Sequence, residues 1–430
     1  MKVCFIMYQG NMYSGGQGVY LYYLTRELAR MGHEVHVLAG PPYPELAENV
    51  IGHNLETHSY WSYHYEKAHF LFERNPLSHF HPVNFYEFVS TRIALSSLLL
   101  TFSVRAWLKL RELSREHRFD IVHDNQTLSY GISLMQASGF PVIATIHHPL
   151  TIDLQNALRQ SLNVYRRAQR LLWYPWYMQR VVARRLDRII TGSDNSARSV
   201  REAFGLAPGQ VRVISDGVDS DVFRPLGLPR EPNSVLFVGN SEEYSKGMRY
   251  LLEALGHLKG KREIHLTVVD QPLGDLVGRL SRQLGLEAQV TVTGRVGRQE
   301  LVRLYNRAQL LVSPSLYEGF GLPAAEAMAC ETPVIATTAG AFPEVIEDGV
   351  SGLLVPPGDS GELADAVDRL LGDESRRQAL GTEARIRILE RFTWSETARQ
   401  TSALYREVIE GSRCNGTETR RRELSRQVVA

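Results

Sequence analysis

Short runs of apolar, mostly β-branched residues recur along this chain, and stretches of helical periodicity lie between most of them. In the first half the runs are Val3–Met7, Val35–Ala39, Ile121–His123, Val142–Ile146, Ile189–Thr191 and Val211–Ile214. In the second they are Val235–Val238, Leu266–Val269, Val290–Thr293, Leu310–Val312, Val334–Thr337 and Leu353–Val355. Gly, Pro, Asp or Asn bounds most of them. The stretches between, such as Leu21–Met31, Met248–Leu258 and Gln299–Ala308, read as helices. Strands apolar on both faces that alternate with helices belong to parallel sheets covered on both sides. The expected fold class is α/β, and six runs in each half predict two doubly wound sheets rather than one closed barrel.

A length of 430 residues is consistent with two large domains. The segment Arg224–Asn233 (RPLGLPREPN) concentrates proline and glycine and reads as the linker. The expected N-terminal domain is 1–224 and the C-terminal domain 233–395, followed by a last amphipathic helix over 396–411. The polar, charge-rich stretch 412–430 reads as a disordered tail. Lys and Arg total 48 against 47 Asp and Glu, a balance that disfavours a dedicated nucleic-acid binder. The cysteines Cys4, Cys330 and Cys414 are odd in number and widely spaced, so no disulfide framework or zinc pattern follows. A reducing, cytoplasmic compartment fits that usage. The apolar run at the N-terminus is too short for a signal-peptide core. The uncharged stretch beginning at Ile93 falls far short of a membrane span.

Ser313–Cys330 (SPSLYEGFGLPAAEAMAC) carries the most chemical information. A strand ends near Ser313, a turn containing Gly319 and Gly321 follows, and Pro323 stands where a first helical residue belongs. Such a helix start directs N–H groups out of the carboxyl edge of a sheet, where open α/β sheets bind ligands and where phosphate is favoured. Glu318 precedes the helix and Glu326 lies one turn inside it. Two carboxylates beside a phosphate cradle make sense as acceptors for sugar hydroxyls. On the residues alone, Glu326 reads equally well as a solvated helix residue and Glu318 as a turn residue.

The motif EGFGLPAAEAMA is similar to the paired-glutamate motif of retaining glycosyltransferases of family 4, whose fold (GT-B) has two Rossmann-like lobes facing across a cleft. Thr332–Glu344 and Glu347–Gly358 resemble the family's next two segments. Ser215–Asp219 with Phe223-Arg224-Pro225 resembles its interdomain hinge, and Met12–Val35 its first glycine-rich loop and helix. The resemblance implies transfer of a sugar from a nucleotide-sugar donor, UDP-linked before GDP-linked, to a hydroxyl acceptor such as a glycolipid, polysaccharide or small polyol. No cofactor and no metal are implied, and the last helix is expected to cross back to the first lobe. Two other readings of the same fold are a nucleotide-sugar epimerase and a non-catalytic nucleotide- or glycan-binding module.

Carried onto this sequence, the resemblance gives Glu326 the ribose hydroxyls and Glu318 hydroxyls of the donor sugar. The amides of Gly319, Phe320, Gly321 and Leu322 would receive the diphosphate and sugar, and Lys246 would neutralise the diphosphate. Lys246 is one of only six lysines in an arginine-rich chain. Asn240, after Phe237-Val238-Gly239, stands where the family usually has Arg. An amide hydrogen-bonds phosphate without neutralising it, and Arg295 is a candidate substitute by position. Asp216 likewise replaces the family's common Asn. Gly15 and Gly16, in Ser14-Gly15-Gly16-Gln17-Gly18, lack the spacing of a dinucleotide fingerprint, and glycine pairs allow close backbone approach to a ligand. His147, in Ala144-Thr145-Ile146-His147, resembles the family's active-site histidine and is preferred over His148 or His123.

Asp219-Ser220-Asp221 has the spacing of a metal-binding DxD but sits in the hinge signature, so it reads as a chance match. His79-Phe80-His81 lacks further ligands at suitable spacing. The histidine- and aromatic-rich stretch 52–90 reads as acceptor-side lining or as packing. The stretch 151–188 mixes Arg with Trp and Tyr; core packing is the first reading and peripheral contact with the inner membrane face the second.

Overall fold

The computed structural model describes residues 1–10, 16–56, 82–92, 98–147, 176–270 and 274–428. Its contacts divide the chain into two compact units. The first comprises Met1–Thr191, Ala197–Ile214 and Ala398–Ala430; the second comprises Gly192–Ser196 and Ser215–Thr397.

The first unit holds a parallel sheet of seven strands: β1 (Lys2–Met7), β2 (Glu34–Ala39), β3 (Val50–Asn54), β4 (Ile121–Asn125), β5 (Val142–Thr145), β6 (Arg188–Thr191) and β7 (Val211–Val213), in the order β3-β2-β1-β4-β5-β6-β7. The second unit holds six: β8 (Ser234–Val238), β9 (His265–Val269), β10 (Val290–Val292), β11 (Leu310–Ser313), β12 (Val334–Thr337) and β13 (Leu353–Val355), in the order β10-β9-β8-β11-β12-β13. All twelve runs read from the sequence are strands. Central strands are buried because helices cover both faces, even where they carry polar residues such as His123, Asp124 and Asn125 of β4. Val3 to Met7 of β1 have no exposed surface, and β4 is buried along its whole length.

β3 is the strand that the apolar pattern did not reveal. Gly52, His53 and Asn54 dilute it, and as an edge strand it leaves most residues exposed or part-exposed. In each sheet the chain first runs outward on one side and then restarts on the other, so the order reverses between β1 and β4 and between β8 and β11. Ligands of open α/β sheets gather at the carboxyl ends of strands beside such a reversal. That single rule selects two loop clusters: those after β8 and β11 in the second unit, and those after β1, β4 and β5 in the first.

The break between units falls before Ser215 rather than within 224–233. Val218 N–H donates to Phe392 O (2.8 Å), Thr397 Oγ1 donates to Ser215 O (2.8 Å), and the Phe223 ring lies against Tyr305. These contacts fasten the hinge signature to the second unit, and the proline-rich segment is itself bonded into that unit, Leu226 N–H donating to Asn306 Oδ1 (2.7 Å) and Arg230 to Ala308 O (2.6 Å). The last helix, Trp394–Val428, starts in the second unit and continues into the first, where the Tyr405 hydroxyl meets His123 Nδ1 (2.6 Å) and Glu407 pairs with Arg188 (2.7 Å). It runs on through 412–428, where a disordered tail was expected. That stretch lacks proline, the residue that most strongly breaks a helix.

Candidate active site

In the second unit two loops are joined at the carboxyl edge. After β8, the chain turns through Gly239 and a 3-10 turn, Tyr244–Lys246, into the helix Met248–Leu258. After β11 comes the loop 314–321. Leu316 N–H donates to Ser245 O (2.7 Å), and a Cβ on left-handed Gly247 would strike the carbonyl oxygen of Pro314. Only glycine allows this approach, and the approach brings the Lys246 ammonium to Glu318 Oε2 at 3.0 Å. Ser315 Oγ donates to the same oxygen at 3.3 Å. Burial lowers the lysine's pKa, but the carboxylates of Glu318 and Glu243 outweigh it and leave the value raised. The ammonium therefore stays charged.

Glu318 is held from behind as well. Its carbonyl accepts Ala341 N–H (3.0 Å), and the left-handed Gly340 backs onto it with no room for a side chain. Gly321, at φ 95°, then caps the helix Leu322–Ala329. Among the described residues the N–H groups of Gly319 to Leu322 donate to no protein atom. The helix is nearly all alanine on its inner side, and Ala324, Ala325, Ala327 and Ala329 are fully buried. Small side chains let the helix start sit close to the strand ends. A cation, two carboxylates and a row of amides thus converge on one loop.

Glu326 is part-buried, and its Oε2 accepts the Tyr305 hydroxyl at 2.8 Å. Burial pushes its carboxyl up to about 7, while the Tyr305 bond and the Arg298 charge hold it from rising further. Because this acid is raised from 4.5, the stability it contributes is present below the unfolded value and is lost as pH rises towards 7. A ligand hydroxyl needs the ionised form as acceptor, so ligand binding should have the opposite slope. Tyr305→Phe removes a bond that favours the carboxylate, so the pKa should rise further. Nucleotide affinity at neutral pH is then expected to fall, with its pH dependence displaced upward, as titration calorimetry from pH 6 to 8 would register. An unmoved pH dependence would contradict this.

Asn240 is exposed, and its Oδ1 accepts Glu242 N–H (3.1 Å), which turns the side chain back into its own loop. The loop is anchored instead by Ser241, whose N–H and Oγ both donate to Asp270 Oδ2 (2.6 and 2.7 Å). Arg295 is exposed on the loop after β10. Asp216 is buried beside Gly192, and burial pushes its carboxyl up to about 7.

In the first unit, Gly16 is left-handed (φ 71°) and caps the helix Gln17–Arg30; Gly15 lies outside the described residues. His147 follows β5 directly. Its N–H donates to Gln126 Oε1 (2.6 Å), its Nε2 meets Asn125 Oδ1 (2.9 Å), and the Tyr20 ring stands edge-on to it at 4.8 Å. Beneath it His123 Nε2 meets Thr145 Oγ1 (2.7 Å), which in turn meets the Tyr20 hydroxyl (2.9 Å). Burial, with a smaller push from His147, lowers His123 to about 3, so it stays neutral.

The motifs pointed to Lys246, Glu318, the glycines, Glu326 and His147. Tyr305, Asn125 and Gln126, which bond Glu326 and His147, were not singled out because they sit on other elements with no local signature, and Ser315, inside the motif, carries nothing that marks it as a partner of Glu318. His148, His79, His81 and 151–175 lie outside the described residues. Glu34 Oε1, His36 Nε2 and His117 Nδ1 lie together at the amino edge of the first sheet. The Lys2 ammonium, 2.9 Å from Glu34 and 3.4 Å from His117, takes the position a metal cation would need. Among the described residues no helix is long and apolar enough to cross a membrane.

A doubly wound pair of sheets with this loop chemistry matches two family models: Glycosyltransferase Family 4 over residues 14–222 and Glycosyl transferases group 1 over 219–387. The chain belongs to the family-4 glycosyltransferases and has the GT-B fold. Among its relatives, the MMP alpha-(1->4)-mannosyltransferase of Mycolicibacterium hassiacum is 35% identical over 413 residues, 95% of this chain and 98% of the relative. The D-inositol 3-phosphate glycosyltransferase of Mycobacterium tuberculosis is 29% identical over 92% of this chain and 79% of its own length. Among solved structures, the sucrose-phosphate synthase of Thermosynechococcus elongatus superimposes with a TM-score of 0.73 at 24% identity, over 96% of this chain and 100% of that one. HepE from Anabaena, solved with UDP and glucose, gives 0.69 at 18% identity, over 95% and 100%. At these identities the structures speak for the fold alone. The protein is a glycosyltransferase.

Proposed function

We propose that this glycosyltransferase moves a sugar, mannose first among the candidates, from a nucleotide diphosphate donor to a hydroxyl acceptor with retention at the anomeric carbon. The observation that carries the reading is the Lys246–Glu318 pair (3.0 Å) set beside the undonated amides of Gly319 to Leu322. In this reading the diphosphate docks on those amides and draws the ammonium away from Glu318. The carboxylate so released accepts hydroxyls of the donor sugar, and Glu326 accepts those of the ribose. Asn240, turned into its own loop, is a structural residue, so Lys246 is the side-chain cation for the diphosphate; Gly16 and His147 belong to the acceptor-side loops.

The bond between the anomeric carbon and the β-phosphate oxygen breaks as the acceptor oxygen bonds to the same face. The acceptor's proton passes to the departing phosphate oxygen. Charge grows on that phosphate as the bond breaks, so a fixed ammonium and fixed amides stabilise the transition state more than the ground state. These groups supply the neutralisation that a divalent cation provides in other sugar transfers.

Mannose is favoured by the 35%-identical relative, an alpha-(1->4)-mannosyltransferase by name. Retention from an α-linked donor yields an α product, the linkage in that name. The test is a thermal-shift screen of UDP- and GDP-linked sugars, followed by transfer assays with the donor that binds. A ligand that binds only the folded state raises the melting temperature by linkage, ~2.7 kcal/mol at a hundredfold excess over Kd. A GDP-mannose shift abolished by Glu326→Ala supports the reading. No shift with any nucleotide sugar, or a product of inverted configuration, overturns it.

A further inference from the structure

We infer that Asn125 is a positioning residue for His147: its amide oxygen fixes the orientation of the ring and keeps a hydrogen on Nε2. The inference rests on the placement of His147 at the acceptor-side loops proposed above.

The side chain of Asn125 is 1% exposed and has two different ends. One end lies 3.3 Å from the Gln17 carbonyl oxygen and 2.9 Å from Met7 Sδ. A carbonyl can only accept, and sulfur is a weak acceptor, so that end is the amide nitrogen. The other end, 2.9 Å from His147 Nε2, is therefore the carbonyl oxygen. It too can only accept, so Nε2 carries a hydrogen.

The frame around this bond is rigid. Gln126 takes a left-handed backbone (φ 62°) and accepts His147 N–H at 2.6 Å. The Asp124 carboxylate accepts the N–H groups of Thr127 (3.2 Å) and Leu128 (2.8 Å), which fixes the turn. The strained turn thus presents two consecutive side chains, Asn125 and Gln126, to one histidine. Tyr20 from the helix Gln17–Arg30 and His123 from β4 are both set against His147, and His123 is buried and neutral.

The test is nitrogen NMR of the histidine rings in the full-length protein, with resonances assigned by His147→Gln. The wild-type ring should show Nε2–H at pH 8. In Asn125→Asp a carboxylate beside the ring should raise its pKa by ~1–2 units, and the acid limb of the kcat profile should move up by the same amount. In Asn125→Leu the ring should become a mixture of tautomers, with kcat reduced and donor KM unchanged. A wild-type Nδ1–H ring, or a titration that Asn125→Asp does not move, overturns the inference. Folding of each variant is checked by melting temperature. Full turnover in His147→Ala would also overturn the inference, since a residue that positions His147 has no part in the reaction if the ring itself has none.

Discussion

Lys246→Ala is expected to lower kcat by ~10²–10³-fold, the usual cost of removing one preorganised group that stabilises charge in a transition state. Donor binding should fall less than turnover, because the amides of Gly319 to Leu322 remain and because the charge Lys246 meets is larger in the transition state than in the bound donor. The variant also leaves Glu318 without its partner, an additional penalty when the anionic donor arrives beside an unneutralised carboxylate. Lys246→Arg should recover only part of the activity. The guanidinium is planar and larger, and the loop that carries position 246 is pinned to the next by the Leu316–Ser245 bond (2.7 Å), which limits adjustment. Steady-state kinetics on protein with an unchanged melting temperature would decide the matter; turnover within a few-fold of wild type would remove Lys246 from the reaction.

Gly340→Ala should damage both stability and donor binding. The left-handed backbone (φ 62°) alone costs ~1–3 kcal/mol for a residue with a side chain. The new Cβ would also strike the carbonyl oxygen of Glu318, a backbone atom that cannot rotate away. The loop bearing Glu318 and the amide row must move, so the donor-induced thermal shift should disappear. Gly294→Ala is the control. It has φ 74° with nothing within 4 Å of the added Cβ. It should show a strain penalty and keep the donor shift. If Gly340→Ala keeps the shift as well, the loop does not hold the donor.

The sequence was legible where physical constraint is local. Most strands carry a short apolar, β-branched run between turn residues, so twelve strands could be read directly, including β4, whose run Ile121–Val122 leads into buried His123, Asp124 and Asn125. β3 could not, since an edge strand with Gly52 and Asn54 meets a weaker requirement. The turn 318–321 and Pro323 marked a helix start because glycine and proline state their backbone needs openly. The contacts divide the chain before Ser215 rather than at 224–233, because proline and glycine mark a change of direction, whereas contacts such as Val218 with Phe392 and Leu226 with Asn306 decide which unit a segment joins.

The chain alone therefore determined two parallel α/β sheets and the glycine-proline turn at 318–323, while the roles proposed for Lys246, Glu318, Glu326 and His147 came from the family resemblance. Their protonation and their partners were decided only by the tertiary structure. Tyr305 lies 21 positions before Glu326, Asn125 lies 22 before His147, and Lys246 lies 72 before Glu318. Side chains so far apart meet only because strand order brings β8 beside β11 and β4 beside β5. Burial, which raises one carboxyl and fixes one imidazole, is a property of what packs around a residue, and no local spacing encodes it.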